Sequence, residues 1–246
     1  MMKGKKKGIL FLCLFFILAW SLQAATSNPT RTSIEQNNGA SSGIVVAYSD
    51  AQGEVLLDVG TGFYVGNGMV LTCLDVICDA KKVDYFTGAG DPIEIIGCAK
   101  IEDEHHLCLL RCKSVPKLKA ATIGSYKLAK LNDTVYLMGY NEDLELFIDD
   151  CKISGLQKGS EFNYIATNHA FGMAATGGAL FDGNGKVIGV SWGCTQSMNL
   201  SIAVDYIKAS IDYLKKQDFG KIPCLAYPTS EGERIRGRLL YSLLQY

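Results

Sequence analysis

Short β-rich runs recur along this chain from Gly43 onward, and tight-turn residues separate them. Residues 43–48, 55–58, 62–65, 69–72, 93–98, 107–112, 134–138, 147–154, 164–167 and 187–192 are rich in β-branched, aromatic and other apolar side chains. Between them stand Gly66-Asn67-Gly68, Gly88-Ala89-Gly90-Asp91-Pro92 and Asp182-Gly183-Asn184-Gly185, residue types that accept the positive φ of tight turns. Many short strands at this spacing predict an all-β sandwich or barrel. One helix interrupts the pattern over 204–216. There Val204, Ile207, Ile211 and Leu214 share one face, and Lys215 and Lys216 suit the negative end of the helix dipole. A second helical stretch is expected over 231–245, where Leu239, Leu240, Leu243 and Leu244 form an apolar face for packing on the barrel or docking to a partner. No internal repeat is visible.

With 246 residues, 48% of them hydrophobic, the chain can bury a sizeable core. A formal net charge of −1 gives no electrostatic reason to expect a nucleic-acid partner. The N-terminus reads as a signal peptide over 1–25. Lys3, Lys5, Lys6 and Lys7 make a basic region, residues 8–22 are apolar apart from Ser21, and Gln23-Ala24-Ala25 offers a cleavage site. The apolar run is shorter than the ~20 residues of a comfortable membrane span. Secretion or a periplasmic location, with no membrane contact after cleavage, is therefore expected, and an uncleaved membrane anchor is the alternative. Residues 26–42, rich in Ser, Thr, Asn and Gly, read as a flexible linker. Beyond Cys13, eight cysteines remain: Cys73, Cys78, Cys98, Cys108, Cys112, Cys151, Cys194 and Cys224. An even count in an exported chain makes disulfides one reading, with 105 ways of pairing eight cysteines. Buried apolar thiols such as Cys108 are the other. No Cys-x-x-Cys or His-x-x-x-His spacing suggests a structural zinc site, and no cofactor is expected.

The order of the segments carries a resemblance. Thr176-Gly177-Gly178-Ala179-Leu180, with the turn at 182–185 and the strand after it, resembles the nucleophile loop and following hairpin of trypsin-like serine proteases. Gly60-Thr61-Gly62-Phe63 and the run through Thr72 are similar to the strand and hairpin before the catalytic histidine, in the form used by the HtrA-type branch. Cys151-Lys152-Ile153-Ser154-Gly155-Leu156, Tyr164-Ile165-Ala166-Thr167-Asn168-His169 and Leu200-Ser201-Ile202-Ala203-Val204 match later strands of the same family. The resemblance covers 43–216. It implies two six-stranded antiparallel β-barrels, about 43–120 and 121–203, with a C-terminal helix and a tail over 217–246. It leaves too few residues for the PDZ domain that often follows in HtrA-type proteins.

All three catalytic positions depart from the pattern. Where the family has histidine, this chain has Asp75 in Thr72-Cys73-Leu74-Asp75-Val76. The catalytic aspartate position holds His106, and the nucleophile position holds Thr176. The loop that binds the oxyanion is Ala174-Ala175-Thr176, where the family opens with glycine and a polar residue.

The residues limit the chemistry. Thr176 keeps a hydroxyl, but its β-methyl crowds the attack path. An aspartate carboxyl titrates near ~3.9, far below neutral, so Asp75 is a poor base for a hydroxyl. An Asp75–His106 pair favours the charged form of both partners. Ala174 at a position suited to glycine is expected to turn its peptide and leave the oxyanion hole unformed. His105 is expected to point away from His106, since neighbours on a strand alternate faces. His169 reads as a half-exposed loop histidine without an acid partner. The reading is an exported pseudoprotease that keeps a polypeptide-binding cleft. One alternative is an active endopeptidase with a rearranged Asp75, His106 and Thr176 set. The other is a structural or adhesive exported protein.

Overall fold

The computed structural model describes residues 29–158, 163–195 and 197–229. The signal-peptide stretch and the helix expected over 231–245 lie outside the described residues.

Among the described residues twelve strands form two closed barrels, every ladder antiparallel. The first contains β1 (Ser42–Tyr48), β2 (Leu56–Gly66), β3 (Met69–Cys73), β4 (Lys82–Thr87), β5 (Pro92–Glu102) and β6 (Leu107–Cys112) in the order β1-β2-β3-β6-β5-β4. The second contains β7 (Thr134–Tyr140), β8 (Leu146–Lys158), β9 (Asn163–Thr167), β10 (Ala179–Phe181), β11 (Val187–Cys194) and β12 (Asn199–Ala203) in the order β10-β11-β12-β9-β8-β7. Closure leaves no unpaired edge to satisfy. The expected all-β double barrel is the observed fold.

Local sequence explains the hairpins. Asn67 and Gly68, at φ 49° and 70°, turn β2 into β3 with the Asn-Gly pair that such a tight connection favours. The runs 55–58 and 62–65 are parts of one long strand, β2. Burial also appears where alternation hides it. Residues Gly60 to Gly66 of β2 and all of β6 are buried, because they face the barrel interior on one side and neighbouring elements on the other.

The linker reading of 26–42 is corrected where the chain is described. Helix α1 spans Pro29–Asn38 and runs into a 3-10 turn over Gly39–Ser41. Its single apolar anchor, Ile34, is buried in the core. Polar ties do the rest. Arg31 faces Asp149 of the second barrel at 3.4 Å. Lys119 donates to Asn37 at 2.6 Å, and Tyr85 of the first barrel donates to the Ser41 carbonyl at 2.7 Å. A helix held by one apolar residue and long-range polar contacts has no periodic signature to read.

Helix α2 (Asp205–Leu214) buries Ile207, Ile211 and Leu214, as its periodicity requires. Its C-terminal carbonyls are met by a residue remote in sequence: Asn67 Nδ2 donates to Leu214 O and Gln217 O, each at 2.9 Å. After α2 the chain crosses the first barrel. Arg111, buried, donates from Nε to Ile222 O at 3.0 Å and from Nη2 to Phe219 O at 3.0 Å, and its guanidinium lies 4.4 Å from the Phe219 ring centroid. Leu225 pairs with Cys98, and Asp79 N–H donates to Pro228 O at 2.8 Å.

The disulfide reading is not realised: all eight cysteines are free thiols, and six of them, Cys73, Cys78, Cys98, Cys108, Cys112 and Cys151, are buried. Five of the six stand in strands and Cys78 in the turn after Val76; buried positions there select a small apolar side chain, and cysteine meets that need without a partner. Burial pushes the thiol of Cys112 up to about 12 and that of Cys151 up to about 11. Among the described residues no helix is long and apolar enough to cross a membrane.

Candidate functional site

A cleft of about 660 Å³ lies between the barrels. The first barrel supplies Asp58, Val59, Asp75 and Val76. The second supplies β8 and β9 residues together with Met173, Thr176, Trp192, Cys194, Met198 and Leu200. The three positions singled out by the sequence converge here. Asp75 and Thr176 line the cleft, and His106 stands behind Asp75 with Nδ1 3.4 Å from Asp75 Oδ1.

Each side chain has a local cause for its place. Asp75 sits in a single 3-10 turn (Leu74–Val76) directly after β3, anchored by buried Leu74 and Val76. His106 closes a second 3-10 turn (Asp103–His105) at φ 50°, a left-handed backbone that swings its side chain inward before β6 begins. Its side chain is 5% exposed and that of Asp75 26%, so the carboxylate is the member of the pair that meets the cleft. His105 stacks on Tyr206 with ring centroids 3.9 Å apart. The two histidines part as expected, but a turn rather than strand alternation separates them.

Trp192 is the site residue that sequence reasoning passed over. Its indole N–H donates to Asp75 Oδ2 at 2.8 Å. Its ring lies 5.4 Å from His106 and 5.7 Å from Tyr164, centroid to centroid. Trp192 ends an apolar run on β11, where the sequence pattern marks only a strand. The available signal was its N–H, since a buried tryptophan needs an acceptor. The two carboxylate oxygens of Asp75 are thus directed to an imidazole and an indole.

The loop before the nucleophile position is closed on itself. Met173–Ala175 forms a 3-10 turn, and Thr176 N–H donates to Met173 O at 2.9 Å. Ala174 O accepts from Thr61 Oγ1 at 2.8 Å, and Thr176 O accepts from Thr61 N–H at 2.7 Å. Gly177 N–H donates to Ser191 O at 2.7 Å and Gly178 N–H to Ala175 O at 2.9 Å. Ala174 keeps φ below zero, and Ala175 is fully buried. Gly177, at φ 89°, threads the loop past β2: a Cβ there would collide with Thr61 O and Thr72 Oγ1. An oxyanion hole needs N–H groups aimed at the place where charge develops. Here the Thr176 N–H is directed into the loop's own carbonyl.

Two other groups complete the surroundings. Cys73 is fully buried and donates to Ser191 O at 3.1 Å. Burial, followed by the nearby Asp75, pushes its thiol well above the ordinary range, so it remains a neutral donor rather than a nucleophile. His169 is exposed, its ring 4.7 Å from Phe171, and it is not among the residues lining the cleft. Among the described residues no group of three or more His, Cys, Asp or Glu is placed to hold a metal ion.

Comparison with known proteins agrees with this architecture. The family model described as "Trypsin-like peptidase domain" matches residues 60–190, more than half of the chain. The chain is 25% identical over 186 residues to the anti-sigma-I factor RsgI9 of Acetivibrio thermocellus, covering 75% of this chain and 26% of that protein. It is 26% identical over 147 residues to the mitochondrial serine protease HTRA2 of Bos taurus, covering 56% of this chain and 32% of that protein. It therefore spans about a quarter to a third of the length of these curated relatives. Among solved structures, the HtrA-type protease AlgW with tripeptide superposes with a TM-score of 0.66 at 16% identity, covering 76% of this chain and 64% of that one. The serine endoprotease from Yersinia pestis superposes with a TM-score of 0.65 at 17% identity, covering 76% and 67%.

Proposed function

The chain belongs to the trypsin-like peptidase domain family, and we propose that it is an exported pseudoprotease whose inter-barrel cleft binds polypeptide without proteolytic turnover. The observation that carries this reading is the closed loop. Thr176 N–H is bonded to Met173 O, and the Ala174 carbonyl is held by Thr61. Loss of one oxyanion donor costs about 10²–10³ in rate. The proton-accepting position adds a second barrier, because Asp75 occupies it and the imidazole of His106 lies behind that carboxylate. General-base catalysis of hydroxyl attack works best with a group that titrates near neutrality, and an aspartate offers little of that.

The cleft supports the binding half of the reading. It is open between the barrels, its walls are mainly apolar, and β-strand backbone lines it on the second barrel. An extended peptide meets such a surface with alternate side chains in pockets. The AlgW structure similar in fold was solved with a tripeptide. The similar RsgI9 is named as an anti-sigma-I factor, not as a protease. Export is proposed from the basic and apolar N-terminal segment. The burial of six thiols lets them stay unpaired in an oxidising compartment.

The test incubates purified protein with unfolded casein and with a fluorophosphonate probe. The expected result is casein binding with no cleavage and no labelling. Cleavage or labelling that disappears in Thr176→Ala would establish the rearranged Asp75, His106 and Thr176 endopeptidase instead.

A further inference from the structure

We propose that the cleft is occupied in cis by the chain's own segment 230–246, which an incoming polypeptide must displace. The inference rests on the reading of the cleft as a polypeptide-binding surface, and it names the first occupant of that surface.

Three observations carry it. The described chain ends beside the cleft. Pro228 O accepts from Asp79 N–H at 2.8 Å, and Asp79 follows Asp75 by four residues, within about 14 Å even at full extension. The strap leading there is fixed by Arg111 and by the Cys98–Leu225 pairing, so the segment that follows starts from a defined place.

The length is sufficient. Residues 230–246 can reach up to about 55 Å when extended, more than the about 14 Å that at most separates Asp79 from Asp75.

The chemistry of the two surfaces is complementary. The charged residues lining the cleft are both carboxylates, Asp58 and Asp75, and its apolar wall includes Val59, Met173, Met198 and Leu200. Met173 and Met198, which line the cleft, are 68% and 38% exposed. These are large apolar side chains left facing water at the mouth of a groove, where a partner is expected. After Glu231 and Glu233 the segment carries Arg234, Arg236 and Arg238, followed by Leu239, Leu240, Tyr241, Leu243 and Leu244, so its side chains are basic by one charge and the arginines stand next to the leucines. Basic residues met by the cleft carboxylates would place the leucines on the apolar wall. Tethering adds to this: a groove and a segment joined in one chain meet at an effective concentration that can reach the millimolar range, so even weak contacts keep the groove filled.

The experiment compares the unmodified full chain with a full-length variant carrying Leu239→Asp, Leu240→Asp, Leu243→Asp and Leu244→Asp. A fluorescein-labelled peptide of residues 230–246 is added in trans and followed by anisotropy. The variant is expected to bind the peptide at least about 10-fold more tightly than the unmodified chain, because its groove is vacated. Equal affinity in the two proteins, with casein still bound by both, overturns self-occupancy and leaves the polypeptide-binding reading standing. If neither protein binds peptide or casein, the polypeptide-binding reading fails and self-occupancy fails with it. Location is tested by Leu240→Cys under mild oxidation. A disulfide to Cys194, which lines the cleft and is partly exposed, is expected. Its absence, or a cross-link to exposed Cys224 instead, counts against the proposal.

Discussion

Replacing Thr61 by valine tests how the nucleophile loop is held shut. Thr61 is fully buried, and its hydroxyl makes two bonds between the barrels. Oγ1 donates to Ala174 O at 2.8 Å and accepts from Tyr140 N–H at 3.0 Å. Valine preserves the shape and removes both bonds. The Tyr140 N–H then has no acceptor in a buried position, which costs about 1–3 kcal/mol. The Ala174 carbonyl loses its donor at a half-exposed place, which adds about 1 kcal/mol. Together, Thr61→Val should destabilise the protein by roughly 2–4 kcal/mol. Thr61→Ser keeps the hydroxyl and deletes one methyl group, so about 1 kcal/mol is expected. Urea unfolding measures both, with an unchanged m-value as the check that the same surface unfolds. Amide exchange at Thr176 gives a local reading. Its N–H is bonded to Met173 O in the turn that Thr61 pins, so exchange there should accelerate in Thr61→Val and stay slow in Thr61→Ser. A valine variant within 0.5 kcal/mol of the parent, with unchanged exchange at Thr176, would refute the idea that Thr61 holds the loop.

Other perturbations have equally definite outcomes. Gly177→Ala forces a Cβ into Thr61 O at φ 89° and should prevent stable folding, whereas Gly193→Ala, with nothing within 4 Å of the added atom, should leave the melting temperature nearly unchanged. The buried thiols make the protein alkali-sensitive. Burial raises Cys112 and Cys151 above the ordinary 9.0 to about 12 and about 11, so the unfolded chain releases these protons first. Their contribution is intact below pH 9 and is lost as pH rises from there toward the folded-state values, so the melting temperature in reductant should fall steadily above pH 9. A flat profile through pH 11 would contradict it. Arg111→Met removes the donors to Ile222 O and Phe219 O. It should expose the strap after Phe219 to limited proteolysis while the barrels stay intact, a pattern that mass spectrometry of the fragments reads directly.

The double barrel was legible because its evidence is redundant: alternating and apolar strands, turn residues between them, and several motifs in family order. The site was legible in part. Asp75, His106 and Thr176 could be placed by their neighbours in sequence, and the structure brings Asp75 against His106 and both Asp75 and Thr176 to the cleft. Trp192 was not, because a tryptophan ending an apolar strand carries no mark of the carboxylate it will meet across the cleft. Helix α1 was missed because Ile34 alone anchors it and its other contacts lie far away in sequence. Strand β4 (Lys82–Thr87) escaped for a related reason, since its alternation of buried and half-buried residues includes lysine and aspartate. The expected turning of the Ala174 peptide rested on one residue's backbone preference. The closed loop depends equally on Thr61, more than a hundred positions earlier.

The central claim is binding without turnover, and one sample can read both. Fluorescein-labelled unfolded casein is mixed with the full chain and with Thr176→Ala, anisotropy is followed to saturation, and the same mixtures are then analysed for new peptide ends by mass spectrometry. The account predicts saturable binding in both proteins and identical, background levels of cleavage. Casein fragments that accumulate with the unmodified chain and vanish with Thr176→Ala would contradict it.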